Sequence, residues 1–476
     1  APGSAGGCRF ESSRLHRRSP GGAVGYEQRI PSPPDCLQPN CLPALPSTCV
    51  ELLQAMVRIE SVTPRTSGRA DSERELGEYL LAAAESWGLA TTCLPVEGAA
   101  PNLLLTDARQ PDAPWWLFDS HLDTVGTTGM TVDPLAAEVR EGRMYGRGAC
   151  DTKASGAAML WALKERRASG AGAANVALLF TVGEEAWQTG ARAFMTHQLD
   201  RLPWRPSAVV VGEPTQMNIV RASNGYVRFK LRTLGRAAHS TRPQEGHNAI
   251  SDMARAITVI EDRYISRLTA EDPLTGRSTC SINLIRGGTE HNVVPERCEV
   301  TIDHRLAPGQ SGADALAAIR KLLDEQFEER AGFRYEIDGI EPAEPFTPEL
   351  NAKLSEHTQA VLQAAGIDST IEGAPYTTNA NHYASGGLTC VVLGPGDIAQ
   401  AHTKDEWIAV DQLELGVRGY GALMGSLPNA FTPGRLPIVQ RASNDEAWAG
   451  SAGGRISPSH YPIFPSQPLK RRLLLV

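Results

Sequence analysis

The stretch NVALLFTVGEE, residues 175–185, shows most directly how this chain folds. Apolar residues occupy 176–180 and then give way to a glycine and two carboxylates, a pattern typical of a buried parallel strand that ends in a loop. Two further stretches, APWWLFDSH at 113–121 and PSAVVVGEP at 206–214, repeat this pattern. Open α/β folds place their sites in the loops at the carboxyl edge of such a sheet. We therefore expect the polar residues of all three stretches to meet there.

Residues of the types that bind metals follow five apolar stretches along the chain. The five are FDSHLDTV at 118–125, GRGACDTK at 146–153, LLFTVGEEA at 178–186, AVVVGEPT at 208–215 and AQAHTKDE at 399–406. A single acidic residue after a strand is more often a helix N-cap or part of a solvated turn. Five such clusters together predict a site for two metal ions.

Coordination chemistry suggests a role for each residue of the first two clusters. His121 can bind a metal while the Asp123 carboxylate holds the other ring N–H and fixes the tautomer. We therefore expect Asp123 to orient His121 and not to bind metal. Asp151 follows a glycine-rich turn, and its two oxygens suit it to bridge two divalent ions. An alternative stays open for Asp151, namely the N-cap of a helix predicted over 152–166.

The other three clusters supply further ligands and a base. Glu184 and Glu185 are adjacent, so one can face a metal while the other acts on a water molecule as general base. Two neighbouring carboxylates repel each other unless positive charge lies between them, and a metal pair provides it. Glu213 offers an oxygen ligand and His402 a nitrogen ligand. A lone histidine is more often a packed or solvated side chain than a ligand. His402 is a credible ligand only because of its neighbours and the other four clusters.

These motifs resemble those of the M20 family of dinuclear zinc amidohydrolases and peptidases, in particular the group with acetylornithine deacetylase and succinyl-diaminopimelate desuccinylase. The resemblance covers roughly residues 48–430 and implies two Zn²⁺ ions, with Co²⁺ as an alternative metal. It implies five ligands, two on each ion and one shared: His121 and Glu213 on the first ion, Glu185 and His402 on the second, and Asp151 as the bridge.

The resemblance also implies three catalytic residues. Asp123 orients His121, and Glu184 is the general base that takes a proton from water. His239, in GRAAHS at 235–240, matches a family histidine that reaches the neighbouring subunit's active site and polarises the scissile carbonyl. Taken by itself, this residue is typical of an ordinary surface histidine. Because that family histidine acts in the neighbouring subunit, the resemblance implies a homodimer formed through a lid domain, which spans residues 225–340 here.

Two residues in the second half of the chain are candidates for binding the substrate. Asn292 and Arg305 lie where similar enzymes bind the substrate carboxylate and the tetrahedral intermediate. Arginine suits a bidentate contact to a carboxylate. The alternative for Arg305 is an exposed arginine at a strand end.

The stretch LGPGDIAQAHTKDEWI at 393–408 resembles acetylornithine deacetylase and its acetylcitrulline relatives. The expected reaction is hydrolysis of a small-molecule N-acyl amino acid, N-acetylornithine or a related N-acetyl amino acid, to acetate and a free amino acid, as in arginine biosynthesis. Asn379 departs from the family pattern, because an acidic residue is common at that position, and this argues against a contact to a cationic side chain. Desuccinylase, aminoacylase, dipeptidase and carboxypeptidase activities stay open. A catalytically inactive binding protein is a further alternative, although all seven positions of the predicted centre hold competent residue types.

Composition bounds the remaining possibilities. A chain of 476 residues is longer than a single hydrophobic core usually supports, which favours two domains. The net charge of −8 and the lack of a basic stripe argue against binding to nucleic acid. The sequence contains no run of about 18 apolar residues, so we expect no membrane-spanning helix. Nine cysteines are scattered without close pairs, which favours reduced thiols and a cytoplasmic location.

The chain divides into four predicted parts by pattern. Helices and strands alternate through Val220, which is typical of a sheet covered on both faces. Capping patterns predict helix starts at Thr48 with Glu51 and at Ser72 with Glu75. From Gly225 a β-α-β-β-α-β order predicts an inserted ferredoxin-like domain. The parts are a flank predicted to be disordered at 1–46, an α/β zinc-peptidase-like catalytic domain with a mostly parallel sheet at 47–224 and 341–430, a lid and dimerisation domain at 225–340, and a tail predicted to be disordered at 431–476.

Overall fold

The structure is a computed structural model that describes residues 45–428. Apart from residues 45 and 46, the predicted flank at 1–46 and tail at 431–476 lie outside the described residues. No helix in the described part is both long and apolar enough to cross a membrane. Within the same residues no disulfide joins the six cysteines.

Eleven α-helices lie within residues 45–428. They are α1 (Cys49–Arg58), α2 (Pro64–Ser67), α3 (Arg74–Ser86), α4 (Lys153–Ser169), α5 (Glu184–Trp187), α6 (Thr189–Ala193), α7 (Ala249–Arg263), α8 (Gly312–Phe327), α9 (Pro348–Ala364), α10 (Asn379–Ser385) and α11 (Val410–Gly425).

Nineteen strands form the sheets of the same described segment. They are β1 (Ala90–Leu94), β2 (Asn102–Asp107), β3 (Trp115–His121), β4 (Glu138–Arg140), β5 (Arg143–Tyr145), β6 (Asn175–Thr181), β7 (Pro206–Val211), β8 (Ile219–Ser223), β9 (Gly225–Leu234), β10 (Ala238–His239), β11 (Glu271–Asp272), β12 (Gly276–Arg277), β13 (Thr279–Gly287), β14 (Val293–Val294), β15 (Arg297–Leu306), β16 (Tyr335–Ala343), β17 (Ile371–Ala374), β18 (Cys390–Val392) and β19 (Trp407–Ala409).

The larger sheet has eight strands in the order β1-β2-β6-β3-β7-β18-β8-β17. Its centre is parallel, since β3 pairs in parallel with both β6 and β7, and β7 pairs in parallel with β18. Antiparallel pairs join β1 to β2, β2 to β6 and β18 to β8. The sheet predicted to be mostly parallel is therefore a mixed sheet with a parallel centre, and the carboxyl ends of β3, β6 and β7 lie side by side.

Both faces of this sheet are covered, as the unbroken apolar strands predicted. Trp116 and Phe118 of β3 pack in one hydrophobic core with residues of α1, α4 and α11. Leu117, between them, faces the other side and packs in a second core with Phe194 and Tyr383. Because successive strand residues point to opposite faces, burial on both sides keeps β3 fixed, and with it the polar residues at its end.

A second sheet lies within the insertion and has the order β13-β15-β9-β16 with antiparallel pairs. The elements β9, α7, β13, β15, α8 and β16 follow the predicted β-α-β-β-α-β order. Val227 and Phe229 of β9 pack in a separate core with α7 and α8. On the opposite face Arg228 pairs with Asp303 at 2.7 Å.

Two chain crossings connect the insertion to the larger sheet. The chain leaves at Ser223 and returns at Phe346, where each backbone N–H donates to the other residue's carbonyl at 2.9 and 3.0 Å. Asn381 of α10 holds both crossings, because its Nδ2 donates to the carbonyls of Asn224 and Glu344. The exact domain boundaries stay a prediction.

The two predicted helix starts have different outcomes. Thr48 is the N-cap of α1, and its Oγ1 accepts from the Glu51 N–H at 3.1 Å. The prediction for Ser72 is wrong, because Glu73 is the N-cap of α3 and the Ser72 Oγ donates to the Glu73 carboxylate at 3.0 Å. Glu73 is fully buried, and its Oε1 accepts from the Gly183 N–H, next to Glu184.

Candidate metal centre

The central strands of the larger sheet bring most of the predicted ligands to one edge. His121 is the last residue of β3, Glu184 and Glu185 follow β6, and Glu213 follows β7. The remaining two come from loops, Asp151 just before α4 and His402 just before β19. The parallel pairing of β3, β6 and β7 explains the positions that follow these strands, whereas Asp151 and His402 depend on the course of their loops.

Two groups of potential ligands form at this edge. In each group the ligand atoms all lie within 4.8 Å of one another. The first ligand group is His121, Asp151 and Glu213, and the second ligand group is Asp151, Glu185 and His402. Asp151 alone belongs to both groups. The structure therefore brings together all five predicted ligands in the predicted division, while the metal-binding role of each stays a prediction.

The distances within these groups fit a small divalent cation. His121 Nε2 lies 3.2 Å from Asp151 Oδ1, and His402 Nε2 lies 3.4 Å from Asp151 Oδ2 and 3.0 Å from Glu185 Oε1. Two ligand atoms that are each about 2.0–2.2 Å from a tetrahedral zinc ion lie about 3.3–3.6 Å apart. The observed separations are close to that range, so the imidazole and carboxylate donors suit zinc and similar metals.

The tautomer of His121 is fixed by a backbone carbonyl. Its Nδ1 lies 2.8 Å from the carbonyl oxygen of Asp123, which can only accept, so Nδ1 carries the proton in the neutral ring. Nε2 is then left with a lone pair towards Asp151, as a metal ligand requires. The Asp123 carboxylate itself is 3.5 Å from Nδ1. The predicted orienting contact is thus made mainly by the Asp123 backbone.

The Asp123 carboxylate has a different main contact. Oδ1 accepts from the Glu184 N–H at 2.9 Å and Oδ2 accepts from the Glu185 N–H at 3.1 Å. Asp123 is fully buried, so both charge-assisted bonds form away from water. They fix the turn that carries the predicted base and a predicted ligand, a role that the H-x-D spacing did not indicate.

The alternative for Asp151 is settled by the start of α4. The N-cap of that helix is Thr152, without a side-chain cap, so Asp151 does not cap it. Burial opposes ionisation of Asp151, but hydrogen bonds from His121 and His402 outweigh it and hold the pKa of this carboxyl below its usual value. The peptide bond between Asp151 and Thr152 is cis.

The other carboxylates of the centre repel one another. Burial, followed by the charge of Asp151, raises the pKa of Glu213 well above its usual value and also raises the pKa of Glu185. Burial raises the pKa of Glu184 to about 8, against the opposing charge of His121. Such crowding is unfavourable without positive charge between the groups, and divalent cations provide that charge.

His402 is the most exposed member of the centre, with 51% of its side chain accessible. Its backbone has φ of +61°, in the left-handed region that non-glycine residues rarely adopt. Hydrogen bonds to Asp151 and then Glu185 raise its pKa to about 10. The surrounding loop must therefore hold His402 in place.

Four buried residues around the centre make contacts that sequence reasoning did not predict. Glu406 and Arg147 form an ion pair at 2.5 Å under the Asp151 loop. Asn379 donates to Asp119 Oδ2 at 2.9 Å and to Thr181 Oγ1 at 3.0 Å, so its side-chain amide binds the ends of two central strands. Arg147, Glu406 and Asp119 lie inside three of the five clusters of the sequence, which was the available signal for them.

The residues predicted in the insertion are not part of the two ligand groups. His239 is exposed and pairs with Val293 in the β10–β14 ribbon, next to Asn292, whose carbonyl accepts from Ser240 N–H. The Thr241 N–H donates to His239 Nδ1 at 3.2 Å, so the proton of the neutral ring lies on Nε2.

Arg305 lies on another strand of the lid, β15, and its Nε is 2.8 Å from Asp303 Oδ1. Its guanidinium also lies 5.7 Å from the centre of the Tyr226 ring. The role of Arg305 in substrate binding stays a prediction.

Comparison with known proteins gives a family match over much of the chain. The profile of Peptidase family M20/M25/M40 matches residues 117–426. An N-acetyl-L-citrulline deacetylase of Xanthomonas campestris pv. campestris is 31% identical over 65% of this chain and 81% of its own length. An acetylornithine deacetylase of Myxococcus xanthus is 28% identical over 62% of this chain and 75% of its own length. A probable carboxypeptidase of Aspergillus oryzae is 29% identical over 68% and 75%.

Solved structures of similar fold include metallopeptidases. An M20 family metallo-carboxypeptidase of Sulfolobus solfataricus aligns with a TM-score of 0.65 at 16% identity, over 80% of this chain and 99% of its own. A dinuclear metal binding peptidase from the M20 family of Bacillus subtilis aligns with a TM-score of 0.60 at 14% identity, over 79% and 96%. At these identities the likeness concerns the fold.

Proposed function

This chain belongs to Peptidase family M20/M25/M40 and is a metal-dependent hydrolase, and on that premise we propose that it hydrolyses the amide bond of an N-acyl amino acid, N-acetylornithine or a related N-acetyl amino acid. The observation that carries the proposal is the sharing of Asp151 between two ligand groups beside a carboxylate, Glu184, that belongs to neither. Such an arrangement separates metal binding from proton transfer. The deacetylase relatives, at 28% and 31% identity, support the acyl amino acid as substrate.

Zn²⁺ is the metal that we propose for both groups, with Co²⁺ as a substitute, held by His121 and Glu213 on one side, Glu185 and His402 on the other, and Asp151 between them. When bound, the metal pair would supply the positive charge that acidifies water and polarises the amide carbonyl.

Glu184 is the residue that we assign to proton transfer. Its backbone is fixed by Asp123, and its Oε1 accepts from Gln188 Nε2 at 3.0 Å, which leaves the second oxygen for a proton. The carboxylate takes a proton from the attacking water and then gives it to the nitrogen of the leaving amino acid. Asn292 and Arg305 of the lid would hold the carboxylate of the substrate.

A second copy of the chain completes the proposed site. His239 has its ring proton on Nε2, which is the donor that an amide oxygen needs, yet it lies on the lid and outside both ligand groups. We propose that it serves the partner's centre in a homodimer.

The outer edge of the lid sheet supports such a dimer. Leu284 and Ile285 of β13, here called the lid-edge patch, are 56% and 59% exposed. Among residues 45–428, strand β13 pairs with β15 on one side only, so no described strand covers its other edge. Exposed apolar residues on a long edge strand are typical of a surface that pairs with another chain.

Carboxypeptidase or dipeptidase activity is the second candidate. A probable carboxypeptidase is as similar to this chain as the deacetylases are, at 29% identity over 75% of its length. The same five ligands and the same base would serve a peptide bond, because both substrates are linear amides. The desuccinylase and aminoacylase reactions differ only in the acyl group and belong to the same test. The cysteine spacing continues to favour a cytoplasmic location for any of these activities.

The experiment that separates these candidates is a substrate panel. Purified protein with added Zn²⁺ or Co²⁺ is incubated with N-acetyl, N-succinyl and N-formyl amino acids and with dipeptides, and the free amino acid is quantified. Release from N-acetyl amino acids, abolished by a chelator, supports the proposal. Release from dipeptides only would support the second candidate, and no release from any substrate would contradict both.

A further inference from the structure

Glu406 is a fully buried carboxylate four residues beyond His402. Four donors bind its two oxygens, and all of them belong to the loop that carries Asp151. Oε1 accepts from the backbone N–H groups of Cys150 at 2.9 Å and Asp151 at 3.0 Å. Oε2 accepts from the Gly148 N–H at 3.1 Å and from Arg147 Nη1 at 2.5 Å.

This set of donors leaves Glu406 no capacity for a metal. A carboxylate has about four lone-pair sites, two on each oxygen, and each oxygen here already has two donors. Removing a charged group from water is costly unless it is fully hydrogen-bonded. Glu406 is therefore not available as a sixth metal ligand. Its buried charge instead serves to bind the loop that carries Asp151.

Arg147 extends the same contact to the residue directly after His402. Besides Glu406, its guanidinium donates to the carbonyl of Thr403 at 3.3 Å and to the carbonyl of Gly126 at 3.2 Å. Thr403 is the residue directly after His402. Glu406 and Arg147 together thus join the backbone that leads into Asp151 to the backbone beside His402.

We propose that Glu406 is a positioning residue that sets the separation between Asp151 and His402 and so completes the second ligand group. The inference rests on the metal centre proposed above. His402 has an exposed side chain and a left-handed backbone, a conformation that persists only where the surrounding loop holds it, and Arg147 binds that loop at Thr403. The other members of the first ligand group, His121 and Glu213, instead follow strands in the centre of the sheet.

This difference predicts that the two ligand groups depend on Glu406 unequally. Both contain Asp151, whose loop Glu406 binds, but only the second also contains His402, which lies on the same loop as Glu406. Loss of the Glu406 contacts should therefore weaken the second metal site much more than the first. A role in general stability alone would affect both sites alike.

The test is the variant Glu406→Gln, titrated with Co²⁺ in the metal-free protein and followed by visible absorption and calorimetry. Glutamine keeps the shape of the side chain but places an NH₂ group against two of the four donors. Changes to residues that support metal ligands typically weaken metal binding 10- to 100-fold. We expect one Co²⁺ to bind as in the wild type, the second to bind about 10- to 100-fold more weakly, and kcat to fall while KM changes little.

Asp107→Asn is the matched control. Asp107 is also a buried carboxylate, but it pairs with Arg166 and Arg109 at the opposite end of β2 and β6 from the centre. This variant should lower the melting temperature and leave both Co²⁺ affinities unchanged. Arg147→Lys is the second variant in case Glu406→Gln does not fold, since lysine keeps the charge but not the three-way contact.

Three outcomes would overturn the proposal. The first is wild-type affinity for two Co²⁺ ions in Glu406→Gln, or in Arg147→Lys where the former does not fold. The second is an equal loss at both sites, and the third is the same selective loss in Asp107→Asn. Wild-type protein that binds fewer than two Co²⁺ ions would contradict the metal centre itself, which distinguishes that failure from a failure of the role assigned to Glu406.

Discussion

Replacement of Asp123 by asparagine tests how the centre is held together. The Asp123 carboxylate accepts hydrogen bonds from the N–H groups of Glu184 and Glu185, at 2.9 and 3.1 Å. His121 Nδ1 instead donates to the backbone carbonyl of Asp123. Asparagine has one acceptor oxygen in place of two. The change therefore removes one of the two bonds to the turn and leaves the carbonyl contact to His121 in place.

The size of the effect follows from these contacts. A hydrogen bond to a buried charged group contributes about 1.5–3 kcal/mol. Since about 1.4 kcal/mol corresponds to a factor of 10 in rate, loss of one such bond in the placement of Glu184 lowers kcat roughly 10- to 160-fold. We expect the first ligand group to keep its metal in Asp123→Asn, because neither His121 nor Glu213 loses a hydrogen bond.

The assay is a double-mutant cycle with Glu184→Gln, measured as kcat at saturating metal together with metal content. If Asp123 acts through the Glu184 turn, Asp123→Asn should cost little further activity once Glu184 is glutamine. A double variant that loses the full additional factor would refute this reasoning. So would selective loss of the metal of the first ligand group, because that would place the effect at His121.

Three further predictions concern the base, the dimer and the lid. Glu184→Gln should bind two metal ions as the wild type does and lose about 10²- to 10⁴-fold in kcat, and unchanged turnover, measured beside metal content, would contradict its role as base. Leu284→Glu with Ile285→Glu should give a folded monomer, by light scattering, with low activity because no partner supplies a histidine, and a fully active monomer would contradict the shared site. Burial lowers the pKa of His304 from 6.5 to about 4. The unfolded chain thus binds more protons between these values, and the free energy of unfolding should decrease as pH falls from 6.5 to about 4. Urea titrations should show a smaller decrease in His304→Asn.

The strands and the ligand positions could be predicted because they depend on short-range pattern. An apolar run that ends in polar residues identifies a buried strand, and parallel pairing brings such ends to one edge. His121, Glu185 and Glu213 follow directly from this rule. Asp151 and His402 lie in loops that the rule does not place; their assignment rested on residue type within the five clusters, and family resemblance added the ion that each one binds.

The contacts around the ligands could not be predicted in the same way. Their direction depends on which backbone group comes within about 3 Å of which oxygen, and that is a property of the assembled fold. Asp123 shows this well, since the spacing predicted a bond to His121 while its carboxylate binds the turn at Glu184 and Glu185. Asn379 is another example, because its partner Asp119 is 260 residues distant in the chain.

The distance along the chain between the members of each ligand group has a consequence for the order in which the two groups form. His121 and Asp151 are 30 residues apart, whereas Glu185 and His402 are 217 residues apart. Contacts between distant residues form late, because the loop between them must close first. The first ligand group draws only on residues up to Glu213, so all of its members are present once that part of the chain has been synthesised. The second ligand group also needs His402, and therefore the whole insertion and the stretch that ends at Glu406.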